Sequence, residues 1–149
     1  MKRKYPIIVV LILSLSFCHI QKEPGKVYDL RGKIVQLTKH LVGLSYQLGG
    51  EDIDGFDCSG LVYYVYGCFG ITVPHAAKKQ AKLKNKVTLK HARPGDIVVF
   101  KIRRSYHTGI YIGKDTFIHA PKINSPVRQE LLKNYWKNHL ESVIQLIKE

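Results

Sequence analysis

The stretch Gly55-Phe56-Asp57-Cys58-Ser59-Gly60-Leu61 decides how the rest of this chain is interpreted. Small residues favour a turn, and the apolar run over residues 61–66 predicts a helix that ends near residues 67–70. Cys58 therefore falls in the first turn of the predicted helix. The helix dipole and unpaired backbone amides stabilise a thiolate there, so we expect the pKa of Cys58 to be depressed. The alternative is a buried cysteine that only packs.

Helices are predicted before and after this stretch, and strands follow. Apolar residues at three- and four-residue spacing predict an amphipathic helix over residues 29–42, and a short helix is expected over residues 75–83. A turn at Arg93-Pro94-Gly95-Asp96 introduces extended segments at residues 96–101, 107–112 and 116–119. A helix near residues 131–140 and a strand over residues 142–147 complete the chain. Helices followed by antiparallel strands predict an α+β fold, in one domain of 149 residues.

Two histidines are predicted to share one face of the sheet. The short connection Gly113-Lys114-Asp115 predicts a hairpin in which Ile112 faces Thr116. In that register His119 lies opposite Gly109, and His107 is diagonally displaced from His119 by roughly 7–8 Å between Cα atoms. Residues 108, 110 and 112 then point toward a core. A register slip of one residue would separate the histidines.

Cys58, His107 and His119 together allow nucleophilic chemistry at a carbonyl group. Cys58 is the expected nucleophile, His107 the base and later the acid, and His119 the group that orients His107. The backbone amide of Cys58 and the Tyr46 hydroxyl are the expected oxyanion donors. The alternative is that the same three side chains bind zinc. However, the sequence has no Cys-x-x-Cys or His-x-x-x-His pair and no evident fourth ligand. We therefore expect no metal and no cofactor.

The beginning of the chain reads as an export signal. Lys2, Arg3 and Lys4 precede an apolar run of nine residues, too short to cross a bilayer, which takes about 20. The run ends in Leu15-Ser16-Phe17-Cys18, which resembles a bacterial lipobox and predicts lipidation of Cys18. The expected organisation is a lipoprotein signal peptide (1–17), a tether (18–28) and one catalytic domain (29–149). An ordinary signal peptide or an uncleaved anchor is the alternative.

The chain is strongly basic, with a formal net charge of +13. This charge favours an acidic partner such as an anionic cell-wall polymer, a lipid surface or nucleic acid. Six lysines and no acid lie in the lysine segment, residues 78–90, which predicts either a solvated face or contact with an anionic surface polymer. No nucleic-acid-binding motif is recognisable, and an export signal argues against that partner.

Several ordered motifs of this sequence resemble the NlpC-type cell-wall cysteine peptidases, papain-like enzymes that cleave peptidoglycan stem peptides. The resemblance runs from about residue 30 to residue 147. It rests on Tyr46 with Gly49-Gly50, Phe56-Asp57-Cys58-Ser59-Gly60-Leu61-Val62, Arg93-Pro94-Gly95-Asp96, His107-Thr108-Gly109-Ile110-Tyr111-Ile112-Gly113, Phe117-Ile118-His119-Ala120-Pro121 and Tyr135-Trp136. It implies a papain-like fold with N-terminal helices, including the Cys helix, packed on a central antiparallel sheet.

The resemblance also implies roles for residues. Cys58 is then the nucleophile, His107 the base and His119 the third member, while Tyr46, Asp57 and Ser59 line the substrate site. The implied reaction is hydrolysis of the γ-D-glutamyl–diamino acid bond. Separately, the lipobox-like segment predicts that the protein is exported and anchored to the cell envelope by lipid. His75 departs from the family, which often has Arg after the proline matched by Pro74. An inactive wall-binding lipoprotein, or a Cys–His acyltransferase or amidase with another substrate, remains the alternative.

Overall fold

A computed structural model describes residues 30–147 of the chain. The elements are α1 (Leu30–His40), β1 (Glu51–Asp52), β2 (Gly55–Phe56), α2 (Cys58–Gly67), α3 (Ala77–Gln80), β3 (Lys86–Val87), a 3-10 turn (Leu89–His91), β4 (Ile97–Ile102), β5 (Ser105–Gly113), β6 (Thr116–His119), β7 (Arg128–Leu131), α4 (Tyr135–His139) and β8 (Leu140–Ile144). The predicted signal peptide, Cys18 and the tether lie outside the described residues. Across residues 30–147, no helix combines the length and apolar character that a membrane crossing requires.

The centre of the molecule is a six-stranded antiparallel sheet. Its strand order is β3-β8-β4-β5-β6-β7, and a separate hairpin of β1 and β2 precedes α2. Although β8 is the last strand within residues 30–147, it lies between β3 and β4, so this C-terminal strand is held inside the sheet rather than at its edge. The predicted α+β fold, with the Cys helix packed on a central antiparallel sheet, is confirmed.

Apolar side chains cover both faces of the sheet. On one face α1 and α2 bury the larger cluster, which includes Ile34, Leu37, Leu61, Val65, Ile110 and Ile118. On the other face a smaller cluster contains Val98, Phe100, Tyr111, Phe117 and Val143, with Trp136 from α4 packed against it. The period-2 alternation of β5 thus places Thr108 and Ile110 toward α2, and places His107 toward the Trp136 face.

The predicted turn at residues 93–96 is fixed by the side chain of Asp96. The Asp96 carboxylate is fully buried and accepts hydrogen bonds from the Arg93 amide at 2.7 Å and the Gln145 side chain at 2.9 Å. Arg31 of α1 forms an ion pair with Asp96 at 2.7 Å. This turn therefore joins α1, the start of β4 and the C-terminal segment.

The predicted register of β5 and β6 is confirmed in the part of the hairpin nearest to the two histidines. Ile110 pairs with Ile118 and Tyr111 with Phe117, as predicted. The expected pairing of Ile112 with Thr116 is wrong, because the register shifts after Tyr111 and Thr116 pairs with Gly113. Lys114 and Asp115 both adopt positive φ angles, near +50°, in the tight turn. The irregularity is thus confined to the turn end of the hairpin.

The C-terminal third differs from the sequence prediction. Residues 128–131 form β7, which pairs with β6, whereas we predicted a helix from residue 131. Helix α4 is only five residues long, and the closing strand spans Leu140–Ile144 rather than residues 142–147. The open edge of β6 provides backbone partners for residues 128–131, and no local sequence pattern reports the presence of that edge.

Candidate active site

Asp57 and Cys58 form the start of α2. Asp57 is the N-cap residue, with extended backbone, and its carboxylate accepts a hydrogen bond from the Gly60 amide at 2.7 Å. Such a cap satisfies one of the unpaired amides of the first turn. Gly60 is required sterically, since a Cβ atom there would lie 1.8 Å from the Gly50 carbonyl oxygen. Local backbone packing therefore fixes the position of Cys58.

The Asp57 carboxylate has several further partners within the protein. It accepts hydrogen bonds from the Gly49 amide at 3.0 Å and the Ser59 hydroxyl at 2.9 Å. His75 lies 3.4 Å from Asp57 and 2.8 Å from Glu51, and so connects the two carboxylates. The contact of Asp57 and Ser59 with substrate stays a prediction, and the buried Ser59 hydroxyl could donate to a substrate only by leaving its bond to Asp57.

Cys58 is a free cysteine that approaches the sheet at β5. The Thr108 hydroxyl donates a hydrogen bond to the Cys58 carbonyl at 3.3 Å, so the start of α2 meets β5 one residue away from His107. Burial raises the pKa of the Cys58 thiol, and Asp57 raises it further, although hydrogen bonds from Thr108 and from the Ser59 amide act in the opposite direction. Our prediction of a depressed pKa is therefore wrong, because desolvation of the thiolate outweighs the helix N-terminus.

Tyr46 lies close to Cys58. It is half-buried, and it forms an isolated backbone bridge with Phe56, two residues before Cys58. Partial burial raises the pKa of its hydroxyl, and the charges of Cys58 and Asp57 add to this shift. The Tyr46 hydroxyl is thus a protonated donor in the neighbourhood of Cys58 at neutral pH.

The two predicted histidines are in direct contact. His107 Nε2 and His119 Nδ1 are 2.7 Å apart, and the two rings stand nearly perpendicular. Burial lowers the pKa of His107 to about 3 and that of His119 to about 4, so both imidazoles are neutral at pH 7. The structure therefore combines a neutral Cys58 thiol with a pair of neutral imidazoles at pH 7.

Sequence reasoning did not identify Glu130, which extends the histidine pair. His119 Nε2 lies 3.2 Å from Glu130 Oε1. The same carboxylate accepts hydrogen bonds from Arg128, at 2.6 Å from its Nε, and from the Trp136 indole. Burial alone would raise the pKa of Glu130, but the hydrogen bonds from Trp136, Arg128 and His119 hold it below the ordinary value. The available sequence signal was Arg128 and Glu130 at the two-residue spacing of a strand face.

A cleft of about 770 Å³ opens beside His107. Its lining includes Glu130, Tyr135 and Trp136, together with three cations, Lys122, Arg128 and Lys133. The Trp136 ring lies 5.3 Å from the His107 ring and covers it on this side. His107 is thus part of the wall of a cleft with a basic rim, and Cys58 is not among the residues that line it. Across residues 30–147, no group of three or more His, Cys, Asp or Glu side chains is arranged to hold a metal ion.

Comparison with known proteins identifies relatives of this chain. A gamma-DL-glutamyl hydrolase of Bacillus subtilis is 35% identical over 117 residues, covering 74% of this chain and 28% of that protein. The murein DD-endopeptidase MepS/murein LD-carboxypeptidase of Escherichia coli K12 is 32% identical over 111 residues, covering 73% and 59%. The crystal structure of an NlpC/P60 family protein from Bacillus cereus superimposes with a TM-score of 0.73 at 27% identity, covering 77% and 39%.

These relatives are longer than the matched region, since the chain spans 28% and 59% of the two curated proteins. The match to the family model is direct: the model of the NlpC/P60 family covers residues 43–145, which contain every site residue described above. The sheet with its packed Cys helix agrees with the solved papain-like member. The chain belongs to the NlpC/P60 family.

Proposed function

We propose that this protein is a cysteine peptidase that hydrolyses amide bonds in peptidoglycan stem peptides. The observation that carries the proposal is the meeting of the Cys58 helix with β5 at Thr108, next to the 2.7 Å pair of His107 and His119. The names of the relatives, a gamma-DL-glutamyl hydrolase and a murein endopeptidase, support this substrate class. The γ-D-glutamyl–diamino acid bond remains the expected target.

In the proposed reaction, His107 removes the proton of Cys58 as the thiolate attacks the scissile carbonyl carbon. The raised pKa of Cys58 and the lowered pKa of His107 mean that this transfer accompanies attack rather than preceding it. The Cys58 amide and the Tyr46 hydroxyl stabilise the oxyanion. His107 then protonates the leaving amine as the C–N bond breaks, which leaves the acyl group on Cys58 as a thioester. His107 next takes a proton from a water molecule that attacks the thioester, and it returns this proton to the Cys58 sulfur as the C–S bond breaks.

The decisive experiment compares the wild-type protein with Cys58→Ala on purified muropeptides. We expect the wild type to release fragments cut next to γ-D-glutamyl residues, identified by mass spectrometry, and Cys58→Ala to release none, a loss of at least about 10⁴-fold. Equal products from the two proteins would refute the cysteine mechanism. Turnover of esters or other amides, without any cleavage of muropeptides, would instead support the acyltransferase or amidase alternative.

We further propose that the protein is exported and held at the cell envelope by lipid on Cys18. The charged, apolar and lipobox-like segments of residues 1–18 support this location. Labelling of cells with a radioactive fatty acid should mark the wild type and not Cys18→Ser. Equal labelling of both proteins would contradict lipidation at this residue.

The lysine segment supports contact with an anionic surface polymer. All six of its lysines are exposed: two on α3, two in the loop that follows it, one on β3 and one in the 3-10 turn. An inactive wall-binding protein would need the same surface, so binding alone does not separate the two functions. Sedimentation with insoluble peptidoglycan and no cleavage of any muropeptide would favour the inactive protein.

A further inference from the structure

His119 is bound at both of its ring nitrogens. Its Nδ1 faces His107 Nε2 at 2.7 Å, and its Nε2 faces Glu130 Oε1 at 3.2 Å. The His119 side chain is completely buried, so these two groups replace water as its hydrogen-bond partners. Glu130 is itself held from two sides by Arg128 and Trp136, which fixes the orientation of its carboxylate.

These contacts determine where the protons lie. An ionised carboxylate only accepts hydrogen bonds, so His119 Nε2 must carry the proton that faces Glu130. A neutral imidazole has a single N–H group, which leaves His119 Nδ1 as an acceptor. His107 must then donate from Nε2, and its Nδ1 is left with a free lone pair. Of the two ring nitrogens of His107, Nδ1 is therefore the one that can accept a proton.

We propose that Glu130 is a positioning residue that selects the tautomers of both histidines and thereby leaves Nδ1 of His107 unprotonated. The catalytic consequence rests on the proposed peptidase function, whereas the tautomers do not depend on it. Without an acceptor at position 130, His119 can carry its proton on Nδ1 and donate to His107 Nε2. His107 is then protonated on Nδ1 and has no lone pair for Cys58.

The surroundings of the two imidazoles contain few competing charges. The charged side chains that shift the pKa values of the two imidazoles are Glu130 and Arg128, on β7, and Asp57, which immediately precedes α2. Three aromatic rings also pack against the pair: Phe100 of β4, Phe117 of β6 and Trp136 of α4. Glu130 is thus the negative group in hydrogen-bond contact with the pair, and its removal should change the proton arrangement directly.

The first test measures tautomers by ¹⁵N NMR of histidine-labelled protein at pH 7. We expect the wild type to carry protons on Nε2 of both His107 and His119. Glu130→Leu removes the acceptor and should reverse or mix both tautomers, while Glu130→Gln keeps an amide oxygen and should preserve the Nε2–H form of His119. Glu141→Gln, an exposed carboxylate on β8, is the matched control and should change neither.

A pH titration of the same samples tests the charge of Glu130. Glu130 raises the pKa of both histidines, so its neutralisation in Glu130→Gln should lower the titration midpoint of His119. An Nδ1–H tautomer of His119 in the wild type would overturn the proposal. An unchanged midpoint in Glu130→Gln would overturn it as well. Both results are obtained without the Leu variant, should that variant fail to fold.

Kinetics on muropeptides then test the catalytic consequence. We expect Glu130→Leu to lower kcat by about 10- to 100-fold with little change in KM. A larger loss is known where a catalytic histidine is held in the wrong tautomer. Glu130→Gln should recover part of the loss. If the wild type cleaves muropeptides and Glu130→Leu has the same kcat, the positioning role is refuted. If the wild type cleaves nothing, the proposed function fails and the NMR result still decides the tautomers.

Discussion

The two sides of the candidate active site are built in different ways. The nucleophile side comprises residues 49–60 and His75, and most of its hydrogen bonds join residues within about eight positions of each other, such as Asp57 with Gly49 and Gly60. The histidine side comprises His107, His119, Glu130 and Trp136, which lie on three strands and a helix. The two hydrogen bonds of its central imidazole, His119, join different strands and span 12 and 11 positions of the sequence, and this imidazole is completely buried.

This difference shows that each side depends on a different kind of interaction. The nucleophile side depends on close backbone approach, because Gly60 lies against the Gly50 carbonyl with no room for a side chain. The histidine side depends on strand register and on burial, which keeps both imidazoles neutral. Each side should therefore respond to its own kind of change: added volume on the nucleophile side, and protonation on the histidine side.

The largest effect is expected from Gly60→Ala, which adds volume to the nucleophile side. The new Cβ would lie 1.8 Å from the Gly50 oxygen, so the backbone must move, and we expect the free energy of unfolding to fall by about 4 kcal/mol or more. Gly67→Ala is the matched control on the same helix, since nothing lies within 4 Å of its Cβ position. Urea unfolding measures both variants, and similar destabilisation of the two would contradict the proposed close approach.

The histidine side should make stability depend on pH between 7 and 5. Both histidines have folded pKa values far below the ordinary 6.5, so the unfolded chain binds more protons as the pH falls and stability is lost. We expect a loss of about 3 to 4 kcal/mol over this range, roughly half from each histidine, measured by urea unfolding at each pH. His119→Gln should reduce the slope and exposed His40→Gln should not. A wild-type stability that is constant from pH 7 to pH 5 would show that the imidazoles are not buried as neutral groups.

The smallest effect is expected where the two sides meet, at Thr108. Thr108→Val removes the hydroxyl that donates to the Cys58 carbonyl, a long bond of 3.3 Å, and should cost about 1 kcal/mol or less. Removal of this bond should also increase the rate at which a thiol reagent labels Cys58, because the start of α2 is held less firmly. Exposed Thr72→Val serves as the control. Unaltered labelling in Thr108→Val would indicate that this hydrogen bond does not hold the two sides together.

Much of the site could be predicted because its signals are local. The turn residues and the apolar run around Cys58 predicted a helix start, which the structure places at Cys58 itself. The short hairpin turn was sufficient to align His107 with His119, since Ile110 and Ile118 pair as predicted. The shift at Gly113 escaped prediction, because it depends on the positive φ angles that Lys114 and Asp115 adopt in the turn.

The features that the sequence did not predict depend on contacts between residues of different secondary-structure elements. Residues 128–131 became a strand because the edge of β6 was available for pairing. The raised pKa of Cys58 follows from burial against β5, which opposes the effect of the helix N-terminus. Glu130 could not be connected with His119 before the pairing of β6 with β7 was known.

The sequence by itself determined the α+β class, the position of Cys58 at a helix start and the shared face of the two histidines, because turn chemistry and residue periodicity act over a few positions. The tertiary structure decided which groups of the site are protonated and which further residues, such as Glu130, belong to it. Desolvation and hydrogen-bond partners depend on which elements pack together, and that is why Cys58 and both histidines are neutral and Glu130 is in contact with His119.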